Sequence, residues 1–279
     1  MLFGAHVSAA GGAHRAVERA AAIGCDAVQL FTQSPRMWRS RTPTPEDARR
    51  FRDAMDEHGV RAAVAHAPYI INLGAKDPEL LEKGTTALRA GMEAAGILGL
   101  DAVVVHVGSH RGQGLDAVLD QVAAAIHHAL EAEGDSWLLL ENSAGAGDTI
   151  GRTVDELALV VEAAGAPERL GICLDTCHWW VSGVDVTDPG LLGAELDRLD
   201  RTIGLERLRA VHVNDALTDF GSHRDRHANL GEGTIGDGLA SFLRHPAISD
   251  LPALLEVPGD GDGPTADQVA ALRRLAGSD

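Results

Sequence analysis

No apolar run in this 279-residue chain approaches the roughly 18 residues that a membrane-spanning helix needs. Its opening residues, Met-Leu-Phe-Gly-Ala-His, lack a basic stretch followed by an apolar core. No secretory signal is expected, and the protein is expected in the cytoplasm. Cysteine is scarce: Cys25, Cys173 and Cys177 are too few, and odd in number, for a disulfide framework. Lysine is almost missing, with only Lys76 and Lys83. Nearly every base is therefore arginine, a bias that a GC-rich coding sequence explains more simply than phosphate recognition does. Bases of both kinds fall short, 24 against 41 acids, for a formal charge of −17. That balance argues against broad, non-specific nucleic-acid binding. It leaves room for a local basic rim or for bound metal cations. Low-complexity blocks, linkers and breaks in composition are also missing, so residues 1–279 are expected to form a single domain.

What is present is a globular balance, 45% hydrophobic and 23% charged, with thirteen histidines. Short apolar runs alternate with amphipathic stretches. Strands are predicted near 2–7, 27–31, 61–66, 102–107, 137–141, 170–174, 209–213 and 253–257. Helices are predicted over 12–23, 44–58, 78–98, 115–133, 154–164, 189–202, 236–243 and 265–275. Gly24, Gly59, Gly99 and Gly165 stand where helices should stop. Eight strands alternating with eight helices fit an α/β fold of the (β/α)₈ TIM-barrel type. An open doubly wound sheet is the competitor. Against it, Ala9-Ala10-Gly11-Gly12 after the first strand lacks dinucleotide-loop spacing.

In a barrel, residues at the C-terminal strand ends converge on one face. Those ends carry His66, His106, Glu141, Asp175, His212 and Glu256. His178 follows in the turn after strand six, and Asp225 and His227 lie in the loop after strand seven. Taken singly, a histidine beside an apolar strand is usually a core residue, and an acid at a strand end is often a helix cap. Taken together, so many ionisable groups on one rim would be costly without cations to pair them. All nine suit Zn²⁺ or a related divalent ion. Cys173 and Cys177 flank Asp175, but both read as small buried residues, with Cys173 expected to face away from the acid's neighbours. His6, His110 and His223 lie near the rim as candidate supporting or substrate contacts, whereas His14, His58, His127, His128 and His245 read as surface or packing residues.

Several motifs carry a more specific signal. They are Gly4-Ala5-His6-Val7-Ser8, Tyr69-Ile70-Ile71-Asn72-Leu73-Gly74, Glu141-Asn142-Ser143-Ala144-Gly145, Leu174-Asp175-Thr176-Cys177-His178, His212-Val213-Asn214-Asp215 and the run from Asp225 to Gly233. With them the chain resembles, over nearly its whole length, endonuclease IV, the metal-dependent apurinic/apyrimidinic endonuclease of base-excision repair. The resemblance implies a TIM barrel holding three divalent metal ions, zinc for the most part, with Mn²⁺ or Fe²⁺ as alternatives at one site. It places the first ion on His66, His106 and Glu141. The second falls to Glu141, Asp175, His212 and Glu256, with Glu141 bridging the pair, and the third to His178, Asp225 and His227.

The implied reaction is hydrolysis 5′ to an abasic site in duplex DNA by a metal-bridging hydroxide. It leaves a 3′-hydroxyl and a 5′-deoxyribose phosphate, and blocked 3′ ends are trimmed too. Glu141 and Glu256 are then the catalytic carboxylates, Glu256 as ligand and as a candidate orienting group or base. Arg36 and Met37 after strand two, with Tyr69 and Ile70 after strand three, match the family's DNA-inserting positions. Trp38 reads as packing beneath that loop. The family often carries Gln where Met37 stands and Pro where Val107 stands, and Pro35 stiffens the wedge loop. An apolar wedge can still unstack bases. Arg36, Arg39, Arg41, Arg111, Arg224 and Arg226 are candidates for a small, salt-sensitive phosphate footprint. No protein partner and no membrane are expected, and the protein is expected to act as a monomer. Two other functions compete: a single-metal sugar isomerase or epimerase using only Glu141, Asp175, His212 and Glu256, and a non-catalytic binder of damaged DNA.

Overall fold

A computed structural model describes residues 1–34, 37–38 and 41–278. Eight parallel strands close into a barrel: β1 Leu2–His6, β2 Ala27–Phe31, β3 Ala62–His66, β4 Ala102–His106, β5 Trp137–Glu141, β6 Leu170–Asp175, β7 Leu208–His212 and, last in the chain, β10 Pro252–Leu255. Each strand pairs with its sequence neighbours, and β10 closes the ring between β7 and β1. The main helices between them are α1 Ala13–Ala22, α2 Pro45–His58, α3 Pro78–Leu98, α4 Leu119–Leu130, α5 Val154–Ala163, α7 Pro189–Thr202, α8 Leu239–Leu243 and α9 Ala266–Ala276. None of the described helices is long and apolar enough to cross a membrane.

Local chemistry sets these helix boundaries. Thr44 and Asp47 form a capping box ahead of α2, and Asp77, Thr153 and Asp188 accept from the first backbone N–H groups of α3, α5 and α7. Pro45, Pro78 and Pro189 occupy the first helical turn, where a missing N–H costs nothing. Gly59 and Gly99 close α2 and α3 at φ 66° and 78°, a left-handed conformation that side chains disfavour. Two expected helices are shorter than the sequence pattern suggests. The fourth spans only Leu119–Leu130, and 236–243 opens as a 3₁₀ turn before α8.

Two apolar layers build the core. The larger lies between strands and helices and includes Val28, Leu30, Leu140, Leu174 and Trp179. The smaller plugs the barrel interior with Ala27, Val64, Val104, Leu139, Cys173, Ala210 and Leu254 among others. Strand side chains repeat every second residue. Two residues further along each of these strands, the same interior face therefore presents Gln29, His66, His106, Glu141, Asp175, His212 and Glu256. The polar layer rests directly on the apolar plug. Cys173 corrects an expectation here. Two residues from Asp175, it shares that residue's face and lies in the plug beneath it.

Two unexpected elements shape the rim. A short helix, α6 Thr176–Ser182, starts on Asp175, whose side chain accepts from the His178 N–H. After β7, β8 Asp215–Ala216 pairs antiparallel with β9 His227–Ala228. This folds the intervening loop back over the barrel mouth.

Candidate metal centre

The nine candidate ligands converge at the C-terminal mouth. One donor atom each from His66, His106 and Glu141 lie within 4.8 Å of one another; so do those of Glu141, Asp175, His212 and Glu256, and those of His178, Asp225 and His227. Glu141 belongs to two sets. Its Oε2 is 3.2 Å from His66 Nε2 and 3.5 Å from His106 Nε2, while its Oε1 is 3.0 Å from His212 Nδ1. Asp225 sits 3.3 Å from His178 Nε2 and 3.2 Å from His227 Nε2. Glu141, Asp175 and His212 are fully buried.

The donor chemistry fits divalent cations. The cluster combines buried carboxylates and imidazoles, and among the described residues His227 Nε2 is buried without a hydrogen-bond partner. Neutral rings need one nitrogen held as donor to present the other as a lone pair. His66 Nδ1 is 2.7 Å from the Ala67 carbonyl, His178 Nδ1 2.9 Å from that of Asn142, and His227 Nδ1 3.2 Å from that of Glu256. In each case Nε2 is left facing the carboxylates. Asn214 donates to Asp175 Oδ2 at 2.6 Å and accepts from the Glu256 N–H at 2.8 Å, and Asn142 accepts from the Asp175 N–H.

Cys177 lies within reach of Asp175 and His227, but its thiol is a poor candidate ligand. Burial first, then the Asp175 charge, pushes its pKa far up, and the thiol donates to the Arg226 carbonyl. Burial likewise raises Cys173 to about 11. Asp215 has a structural task. Its buried carboxylate accepts from the N–H groups of Gly231, Gly233, Ile235 and Gly236, pinning the loop after β9.

Without ions the charges pair internally. Burial opposes charge on His227, yet the Asp175 charge and the nearby Asp225 carboxylate outweigh it and raise its pKa to about 9. His178 and His212 are raised well above their ordinary value against the same burial penalty, His178 chiefly by Asp175. Glu141 is held well below its ordinary value despite burial, chiefly by His106 and His212. With its pKa at about 9, the His227 imidazole is protonated at neutral pH in the metal-free chain, and its proton must leave before it can ligate. Metal affinity is expected to fall as pH drops below about 9, the value raised at His227. Calorimetry in buffers of different ionisation enthalpy should detect proton release on zinc addition. Binding with no net proton release would contradict this.

The remaining predicted residues fall around the mouth. Tyr69 is 55% and Met37 54% exposed, and Ile70 is half-buried. The Tyr69 ring packs edge-on against Phe31 at 5.4 Å and lies 5.2 Å from His66. Arg36, with Pro35 and Arg39, lies outside the described residues. Trp38 packs against the core. Arg111 lines a cavity of about 310 Å³ with Tyr69, His106, Ser143, His178 and Asp225. His6 reaches Glu256 at 3.1 Å, whereas His110 only braces a turn and His223 meets the Ala144 carbonyl. One residue escaped the sequence reading. Gln29 is buried in the polar layer and contacts His6, His212 and Glu256. Its only signal was a polar residue at an alternation-predicted interior position of an apolar strand.

Comparison with known proteins agrees with this geometry. Residues 17–276 match a protein family described as a xylose isomerase-like TIM barrel. A probable endonuclease 4 of Methanoculleus marisnigri is 42% identical over the full length of both chains. Another, from Oleidesulfovibrio alaskensis, is 44% identical over 99% of this chain and 95% of its own. The chain belongs to the endonuclease IV family. The crystal structure of endonuclease IV from Thermus thermophilus superposes over all of both chains with a TM-score of 0.87 at 38% identity. A D-tagatose 3-epimerase-like protein also superposes, with a TM-score of 0.72 at 19% identity, a likeness of fold alone. Membership makes the chain an endonuclease of DNA repair, built on the barrel that the sugar epimerases share.

Proposed function

We propose that this endonuclease IV family member hydrolyses the phosphodiester 5′ to abasic sites in duplex DNA. The products are a 3′-hydroxyl and a 5′-deoxyribose phosphate, and the same site trims blocked 3′ ends. One observation carries the reading: three donor sets meet at the barrel mouth, two of them sharing buried Glu141. In this reading His66, His106 and Glu141 hold one divalent ion. Glu141, Asp175, His212 and Glu256 hold a second, and His178, Asp225 and His227 a third, zinc being the ion these donors suit best. When bound, such ions supply an acidified water as nucleophile and positive charge against the scissile phosphate and the leaving 3′ oxygen.

The chain's own residues do the rest. Glu141 fixes the spacing of two sets because its two oxygens face different histidines. Glu256 stands at the edge of the cluster, 3.3 Å from His212, where it can orient a nucleophile as well as ligate. Tyr69, Ile70, Met37 and Arg36 engage the duplex at the gap left by the missing base, whose extrusion costs less because it is already unpaired. A sugar isomerase would use the Glu141, Asp175, His212 and Glu256 set alone, leaving His66, His106, His178, Asp225 and His227 without a task.

The deciding experiment is incubation of the metal-replete protein with a duplex carrying one synthetic abasic site, with mapping of the new ends. A single cut 5′ to the lesion with a 3′-hydroxyl is expected. No cleavage, together with one tightly held ion per chain, would favour the isomerase.

A further inference from the structure

We propose that Gln29 is a positioning residue of the metal centre: its carboxamide selects which nitrogen of His212 faces the Glu141, Asp175 and Glu256 carboxylates. The inference rests on the metal-centre reading above and deepens it. Gln29 is fully buried on β2, two residues above Ala27 of the interior plug. Its Oε1 is 2.8 Å from His212 Nε2, and its Nε2 is 2.6 Å from Glu256 Oε1 and 2.9 Å from His6 Nδ1.

The assignment of donors follows from what each group can do. An ionised carboxylate only accepts, so the amide NH₂ must face Glu256. The amide oxygen then faces His212 and must accept, which places a proton on His212 Nε2. A neutral ring protonated there carries its lone pair on Nδ1. Nδ1 is the atom lying 3.0 Å from Glu141, 3.3 Å from Glu256 and 3.9 Å from Asp175.

His212 is reversed relative to its neighbours. His66, His178 and His227 anchor Nδ1 on main-chain carbonyls and present Nε2. His212 presents Nδ1, and the anchor for its Nε2 is the Gln29 side chain. The same amide holds Glu256 against the cluster, and His6 closes the triangle at 3.1 Å from Glu256. A polar side chain in the otherwise apolar Ala27–Phe31 strand thus has a specific task.

The test compares zinc-loaded wild type with Gln29→Met, which keeps the length and removes the hydrogen bonds. Metal content is measured across graded chelator, and the imidazole tautomers are read by long-range ¹H–¹⁵N NMR. In Gln29→Met, one ion is expected to be held roughly 10–100-fold more weakly, as for other residues that orient a ligand. The remaining ions should be retained, and the His212 Nε2–H signal should lose its hydrogen-bonded shift. The wild-type tautomer decides the matter should Gln29→Met not fold: in the zinc-loaded protein His212 is expected to carry its proton on Nε2, with a hydrogen-bonded shift. Unchanged metal retention with an unchanged His212 signature in folded Gln29→Met overturns the inference, as does a proton on His212 Nδ1 in the zinc-loaded wild type. Loss of all ions together also overturns it, since that marks general damage. A wild-type protein that retains no metal sinks the metal-centre reading instead.

Discussion

Glu141→Gln is expected to lower cleavage of an abasic-site duplex by at least about 1000-fold. The carboxylate is fully buried and faces His66 and His106 with one oxygen and His212 with the other. An amide of the same shape keeps one acceptor, replaces the other by a donor, and removes the charge that two donor sets share. Losing several kcal/mol of charge stabilisation in the transition state corresponds to roughly three powers of ten in rate. The measurement is single-turnover cleavage alongside metal content and circular dichroism. A folded, fully metallated Glu141→Gln protein cutting at near wild-type rate would remove Glu141 from the mechanism.

Metal removal is the second large effect. The candidate ligand atoms are largely enclosed: Glu141, Asp175 and His212 are fully buried, and His66 and His178 nearly so. A chelator should therefore strip activity slowly, and added zinc should restore it. Ions that bind only the folded chain add about 4 kcal/mol of stability at a thousandfold excess over their dissociation constant. Chelation should accordingly lower Tm by on the order of 10 °C. The proton-for-metal exchange described above limits the loss, because protonated His227 partly replaces the missing positive charge. Full activity and an unchanged Tm after exhaustive chelation would contradict a metal centre.

Much of this was legible in the sequence because the information is local and periodic. His66, His106, Glu141, Asp175 and His212 each end a strand, and alternation alone assigns them to the interior face above Val64, Val104, Leu139, Cys173 and Ala210. Helix caps such as Thr44 and Asp77 announce their helices within a few residues. Other features were harder to read because their partners are distant in the chain. Gln29 meets Glu256 across 227 residues and His212 across 183. No short window signals either pairing, and a polar residue in a strand has no meaning until the strand opposite is known. The β8–β9 pair was equally silent, its two-residue strands being too short to show a period.

By itself, then, the sequence determined the alternation of strand and helix, the interior face of every strand, the supply of nine side chains of metal-ligating type and the motifs of the endonuclease IV family. Period and residue chemistry are properties of neighbours along the chain. Only the tertiary structure decided that the two Glu141 oxygens face different histidines, that the turn of β8 against β9 swings Asp225 and His227 over His178, and that Gln29 faces His212 with its oxygen. Those outcomes depend on the closure of eight strands into a ring of one register. Closure converts a list of inward-facing residues into distances of 3–4 Å between atoms from different strands.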